Sequence, residues 1–137
     1  MYIGEFAFNA CYMLQSINMP KVVKIENQAM GNLHSLVSID LPSATYIGPH
    51  ALAYNYQLVS LRIPKVQKIC QGAFKVSNRF VSGRIFDFSE CESVPVLENS
   101  DAFTYNNIPV IRVPAALYDE WIAATNWSTY ADYIVAV

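Results

Sequence analysis

The chain has 137 residues, 53% of them hydrophobic and 15% charged, with a formal net charge of −2. Such a length fits one domain that buries about two thirds of its unfolded surface. The composition excludes an intrinsically disordered chain, and the charge balance provides no field to gather nucleic acid or an anionic membrane.

At the N-terminus, Met1-Tyr2-Ile3-Gly4-Glu5 lacks the basic start and apolar stretch of a secretory signal. The chain is therefore either cytoplasmic or a piece of a longer secreted protein. No apolar run approaches the roughly 18 residues that cross a bilayer, so no membrane insertion is expected. From Ile3 onward an internal repeat takes over. Ile-x-x-x-Ala recurs at Ile3/Ala7, Ile25/Ala29, Ile47/Ala51 and Ile69/Ala73, a step of 22 residues each time. A large apolar residue follows each alanine: Phe8, Met30, Leu52 and Phe74. Then come Leu14, Leu36, Leu58 and Phe80, next Ile17, Ile39 and Leu61, and next Met19, Leu41 and Ile63. Pro20, Pro42 and Pro64 close the first three units. With proline near 5% of residues, three matches in one register have a chance of about 10⁻⁴.

A unit of this size cannot bury its apolar face alone, so stacked units bury it against one another. Ile17-Asn18-Met19 alternates apolar, polar, apolar, as a half-buried strand does. It and its equivalents are expected to stack as a parallel sheet at about 4.8 Å per unit, each strand ended by a proline that lacks the N–H a ladder requires. A second extended piece is expected over Val22–Ile25, Ala44–Ile47 and Val66–Ile69, with a turn at Ala7-Phe8 and its copies.

The register then slips. Phe86-Asp87-Phe88 reads as the fourth strand displaced by three residues, Ala102-Phe103 repeats Ala73-Phe74 after 29 residues, and Ile111-Arg112-Val113-Pro114 copies Leu61-Arg62-Ile63-Pro64. This makes five units over residues 1–114, the last two with insertions near 81–85 and 89–101 that go to loops on one face. Residues 115–137 break the repeat and are expected to cap it. Pro114 suits a first helical position, and Leu117, Trp121 and Ala124 share one helix face with Asp119-Glu120 near its start. Ser128 is expected to cap a second short helix running through Tyr130, Ala131 and Ile134. The aromatic residues here are expected to cover the last unit's core. The N-terminal end has no such lid, and an uncovered end invites association. Either the chain is the C-terminal part of a longer solenoid, the preferred reading, or its open end meets a partner end to end.

The motif Ile3-Gly4-x-x-Ala7-Phe8-x-x-Cys11-x-x-Leu14-x-x-Ile17-x-Met19-Pro20 resembles the BspA-type leucine-rich repeat. The resemblance covers residues 3–80 in register and 85–114 loosely. Met30 and Leu52 replace the family's phenylalanine, and Leu33, Asn55 and Ser77 its cysteine. The resemblance implies a leucine-rich-repeat solenoid, α/β or mainly β, of short parallel strands at a 22-residue period with a small helical C-terminal cap. It further implies a non-catalytic interaction or adhesion scaffold of a bacterial surface or secreted protein, with a protein or glycan partner, no cofactor and no catalytic residues. The alternative is a structural repeat module of a larger phage or cell-envelope assembly.

The residues themselves point the same way. Cys11, Cys70 and Cys91 form no C-x-x-C pair and are expected to be buried, inert thiols rather than zinc ligands. His34 and His50 lie in different repeat columns with no metal-binding spacing. No nucleophile motif or phosphate-binding loop is present, and Glu90 and Glu92 are expected in a solvated loop. What remains is surface. Asn18, Asp40, Arg62, Asp87 and Arg112 form an outward column beside Ser16, Ser38 and Ser60, polar and mixed in sign, which suits selective protein contact rather than nucleic acid. A second column, Tyr12, His34 and Tyr56, forms an aromatic ladder if exposed or packs on neighbouring loops if not. A third stripe, Lys21, Lys24, Lys65 and Lys68, interrupted by Ser43 and Tyr46, is expected as solvated edges.

Overall fold

The computed structural model describes residues 1–76, 81–104 and 107–137. Ser77 and Phe80, which continue two repeat columns, lie outside the described residues.

Two parallel sheets carry the repeat, with strands numbered along the chain. The first sheet runs β1 (Tyr2–Ile3), β2 (Lys24–Ile25), β4 (Tyr46–Ile47), β6 (Lys68–Ile69) and β8 (Val96–Leu97) in that order. The second runs β3 (Ser38–Asp40), β5 (Ser60–Arg62), β7 (Ile85–Asp87), β9 (Val110–Val113) and β10 (Ile134–Ala136). Each strand is short because a proline or a turn follows at once: Pro42, Pro64 and Pro114 stand just beyond the second sheet's strands. Burial alternates, with Ile39, Leu61, Phe86, Ile111 and Ile134 all facing the core in paired register. Opposite Leu61 stands Phe86, three residues later than the period, and opposite Ile69 stands Leu97, six later.

A third ladder joins the turns. Gln28, Met30 and Asn32 donate N–H to the carbonyls of Pro49, Ala51 and Ala53, and His50, Leu52 and Tyr54 repeat this one unit on. The backbone takes positive φ at Phe6, Gln28, His50 and Gly72, and again at Ala10, Asn32 and Tyr54, so the turn geometry also repeats every unit.

The core lies between the sheets and the turns. It holds Met30, Leu36 and Leu52 in the regular units, and Phe74, Phe86, Phe88 and Phe103 where the units lengthen. Phe74 packs edge-on to Phe86 and stacks on Phe103, each at 5.2 Å between centroids. Aromatic side chains thus dominate the core where the units lengthen. Arg84 enters this region as a buried cation. Its guanidinium donates to the carbonyls of Leu58 and Asn107 and lies 5.0 Å from the Phe86 ring centre, and burial lowers its pKa to about 10.

Several expectations need correction. Ile17-Asn18-Met19 forms no strand, and the second sheet starts at β3. The first unit is packed from one side only, so Leu14 and Ile17 stay half-buried and the apolar contact that seats the interior strands is incomplete. In the C-terminal segment, Pro114 precedes a single 3₁₀ turn, Ala115–Leu117, that leads into helix α1 (Tyr118–Ala123). Ser128 caps nothing. A second 3₁₀ segment, Trp127–Tyr133, follows Asn126 at φ 67° without a side-chain cap. Ile134 belongs to β10, where pairing with Ile111 extends the second sheet and covers its edge. Cys11 is exposed, whereas Cys70 and Cys91 are buried.

Candidate interaction surface

The outer face of the second sheet presents two adjoining columns. In the first, Asp40, Arg62, Asp87 and Arg112 stand opposite one another across β3, β5, β7 and β9, and Val135 of β10 completes the row. Alternating sign lets neighbours pair. Arg62 reaches Asp40 at 2.9 Å, and Arg112 reaches Asp87 at 3.5 Å. Arg62 also donates from Nε and Nη2 to one oxygen of Glu90, at 3.1 and 2.8 Å. Glu90 stands in an exposed turn, as expected, and is in addition paired with the column. The carboxylates of Glu90 and Asp40 together raise the Arg62 pKa above its ordinary value. The Asp87 carboxylate is fixed from behind by the Ser89 N–H at 2.9 Å. These pairs are solvent-exposed and individually worth about 0–1 kcal/mol, so a partner can exchange them at little cost.

The second column begins with Ser38 and Ser60 and turns apolar. Ile85 pairs with Val110, and Tyr133 follows where β10 begins. Ile85, Val110, Tyr133 and Val135 are each 40–45% exposed. An apolar row thus stands beside a sign-mixed polar one. Ser16 and Asn18 are exposed, but they lie beyond the sheet. Below the column, Arg62, Glu90, Glu92, Lys65, Gln67 and Thr45 line an open cleft of about 630 Å³.

Tyr12, His34 and Tyr56 come together as an aromatic ladder. Ring centres are 4.6 Å apart between Tyr12 and His34 and 4.7 Å between His34 and Tyr56. Tyr12 is exposed and the other two are half-buried, with the His34 ring tilted between the two tyrosines. The first sheet's outer column reads Tyr2, Lys24, Tyr46, Lys68. The Lys24 ammonium sits between two rings, 5.6 Å from Tyr2 and 5.7 Å from Tyr46, and Lys68 pairs with Glu98 at 3.0 Å. Lys24 and Lys68 are therefore engaged in ladder contacts rather than simply solvated. Lys21 and Lys65 are exposed.

Trp121 and Trp127 are fully buried and belong to the core, as expected of aromatics that cover the last unit. Trp127 Nε1 donates to the Pro95 carbonyl at 2.7 Å, Asn126 Nδ2 donates to Leu97 at 2.7 Å, and Tyr130 donates to Ser100. Side chains of the C-terminal segment thereby occupy carbonyls along the last unit, including the edge of β8. Among the described residues, no cluster of His, Cys, Asp and Glu could hold a metal ion, and no helix is long and apolar enough to cross a membrane.

A sequence model of the BspA type leucine rich repeat region matches residues 1–108, in six copies. No curated protein matches the chain. No solved structure matches it either.

Proposed function

The chain belongs to the BspA-type leucine-rich repeat family, and from that premise we propose that it is an adhesion or interaction scaffold of a bacterial surface or secreted protein. In this proposal it engages a protein partner through the outer face of its second sheet. The family is a repeat-based interaction module, generally non-catalytic and associated with surface proteins. The observation that carries the finer reading is the apolar row Ile85, Val110 and Tyr133 set beside the self-paired column Asp40, Arg62, Asp87 and Arg112, which ends in the exposed Val135. Three further positions, Tyr12, His34 and Tyr56, offer a separate aromatic surface for a glycan or loop.

The test is binding of the immobilised chain to a panel of purified extracellular-matrix proteins and to a glycan array. Val110→Glu should weaken protein binding by more than about tenfold, since it places a charge in the apolar centre. Arg62→Glu should alter the salt dependence and the association rate. Tyr56→Ala should leave protein binding intact. Binding to glycans alone, or protein binding untouched by Val110→Glu and Arg62→Glu, overturns this surface assignment.

A further inference from the structure

The outward residues of the second sheet form two rows that run along the stack. At the C-terminal side of the strands the row reads Asp40, Arg62, Asp87, Arg112 and Val135, from β3 to β10. At the N-terminal side it reads Ser38, Ser60, Ile85 and Val110, with Tyr133 just ahead of β10. Charge alternates along the first row. Apolar residues in the second row are confined to the levels of β7, β9 and β10.

The four charges are not equally committed. Arg62 is held by Asp40 and by two bonds to Glu90. Arg112 stands 3.5 Å from Asp87 and pairs with no other carboxylate among the described residues. That separation is longer than the roughly 2.7–2.9 Å of a charge-assisted hydrogen bond. The Arg112 side chain is 41% exposed, so its guanidinium has donors left for a second carboxylate.

We propose that the partner of this face is a second copy of the chain, packed sheet on sheet about a twofold axis that runs along the strands between β7 and β9. The inference rests on the reading of this face as the contact surface and names its partner. Sheets stacked face to face keep their strands within about 30° of each other, which this axis allows. Such an axis keeps each row on its own counterpart and reverses the order of the levels. Asp87 then meets the second copy's Arg112, and Arg112 meets its Asp87. Ile85 meets Val110 in both directions, and Tyr133 covers Ser60. Other placements fail on one row or the other. An axis through β7 sets Asp87 on Asp87 and Arg62 on Arg112, and an axis through β9 sets Arg112 on Arg112. Between β5 and β7 the charges match, but Ile85 faces Ser60 and Val110 faces Ser38. A twofold along the stack lays Ile85 and Val110 against the charged row, where charge would be buried on apolar side chains. Of these placements, the one between β7 and β9 satisfies both rows. Strands of three and four residues make the face narrow, so the contact is of micromolar rather than nanomolar strength.

The experiment is sedimentation equilibrium of the full chain from micromolar to millimolar concentration, with circular dichroism to check that each variant is folded. The chain is expected to dimerise. Arg112→Asp and Asp87→Arg should each weaken the dimer by about tenfold or more, since each sets like charges opposite one another twice. A one-to-one mixture of the two variants should recover dimers, because the arginines of one chain then face the aspartates of the other. No rearrangement within a single chain produces that recovery. Val110→Glu should abolish dimers alone and in any mixture. A chain that stays monomeric throughout the range overturns the proposal; if it then binds a matrix protein in a way that Val110→Glu weakens, the contact-surface reading stands without it. A dimer that survives Val110→Glu, or charge variants that do not recover on mixing, also overturns the proposal.

Discussion

Asn55 occupies the place where the repeat motif carries cysteine, and it is 1% exposed. Its Oδ1 accepts the Leu33 N–H at 2.7 Å, and its Nδ2 donates to the Met30 carbonyl at 3.1 Å. Leu33 and Met30 are themselves fully buried, so water has no ready access to either group. Asn55→Ala strands both. A buried backbone group left without its partner costs about 1–3 kcal/mol, and two cost roughly 2–6 kcal/mol. Against a total stability of about 5–15 kcal/mol this is a large fraction. At this chain length it lowers Tm by roughly 10 °C or more. Urea unfolding followed by circular dichroism should show a lower midpoint at unchanged m-value. Asn32→Ala is the comparator: Asn32 is half-buried and reaches Asn9 only at 3.4 Å, so its loss should cost little beyond the roughly 1 kcal/mol of backbone strain that alanine meets at φ 59°. Asn55→Asp separates the two bonds. The carboxylate still accepts from Leu33 but cannot donate to Met30, and burial opposes its ionisation. Protonation restores the donor, so this variant should regain stability as pH falls. A loss below about 1 kcal/mol for Asn55→Ala, equal to that of Asn32→Ala, would refute the claim that this side chain stitches two units together.

Gly72 has φ +62°, and a methyl group there would lie 2.3 Å from the His50 ring. Gly72→Ala should therefore destabilise by about 2–4 kcal/mol in chemical denaturation, and His50→Ala should recover the steric part but not the roughly 1–2 kcal/mol of backbone strain. In the native protein one thiol, exposed Cys11, should react with Ellman's reagent, and Cys70 and Cys91 only on unfolding. Burial pushes the Cys91 thiol up to about 12 from an ordinary 9.0, so the unfolded chain loses that proton first. Stability should accordingly fall as pH rises from 9 towards 12, and Cys91→Ala should flatten the fall in pH-dependent melting curves. Tyr130→Phe removes the donor to Ser100 and the acceptor of the Phe103 N–H. It should cost about 1–3 kcal/mol and loosen the last unit first in hydrogen exchange.

The repeat was legible because each unit solves the same packing problem with the same residue types. Ile25, Ile47 and Ile69 could be aligned by counting, and they stand side by side in the first sheet. The positions of Ser128 and Ile134 were misread because the aromatic pattern after Trp127 fits a helical face, while the chain answers a different demand: the open edge of β9 needs a strand. The missing strand at Ile17-Asn18-Met19 was also beyond local reading. Its alternation matches the interior strands, but Ile17 stays half-buried where Ile39 and Leu61 are buried, and alternation alone does not make a strand. On the surface, the outward positions of Asp40, Arg62, Asp87 and Arg112 follow from period two, whereas their ion pairing with each other does not. Glu90 was invisible as a partner of Arg62 because the two lie 28 residues apart, outside the regular period. The row Ile85, Val110 and Tyr133 was passed over, although two apolar residues at outward positions of slipped strands carried the signal.

That coincidence of slip and surface has a physical basis. In a solenoid each unit contacts only its neighbours, so an insertion changes one level without unfolding the rest. The added residues after Phe88 bring Glu90 against Arg62 and bury Cys91 behind it. Phe86 and Phe103 are buried in the longer units, and the strands there carry Ile85 and Val110 outward where Ser38 and Ser60 stand in the regular units. An outward isoleucine or valine contributes little to the stack, because its burial against neighbours is partial and its removal opens no cavity. Its retention in water is a cost without a folding return. Val110→Ser should therefore change stability by less than about 0.5 kcal/mol, yet weaken any partner held on this face. That pair of outcomes would support the proposed partner contact on this face, whereas a loss of stability above about 1 kcal/mol would assign Val110 to the fold instead.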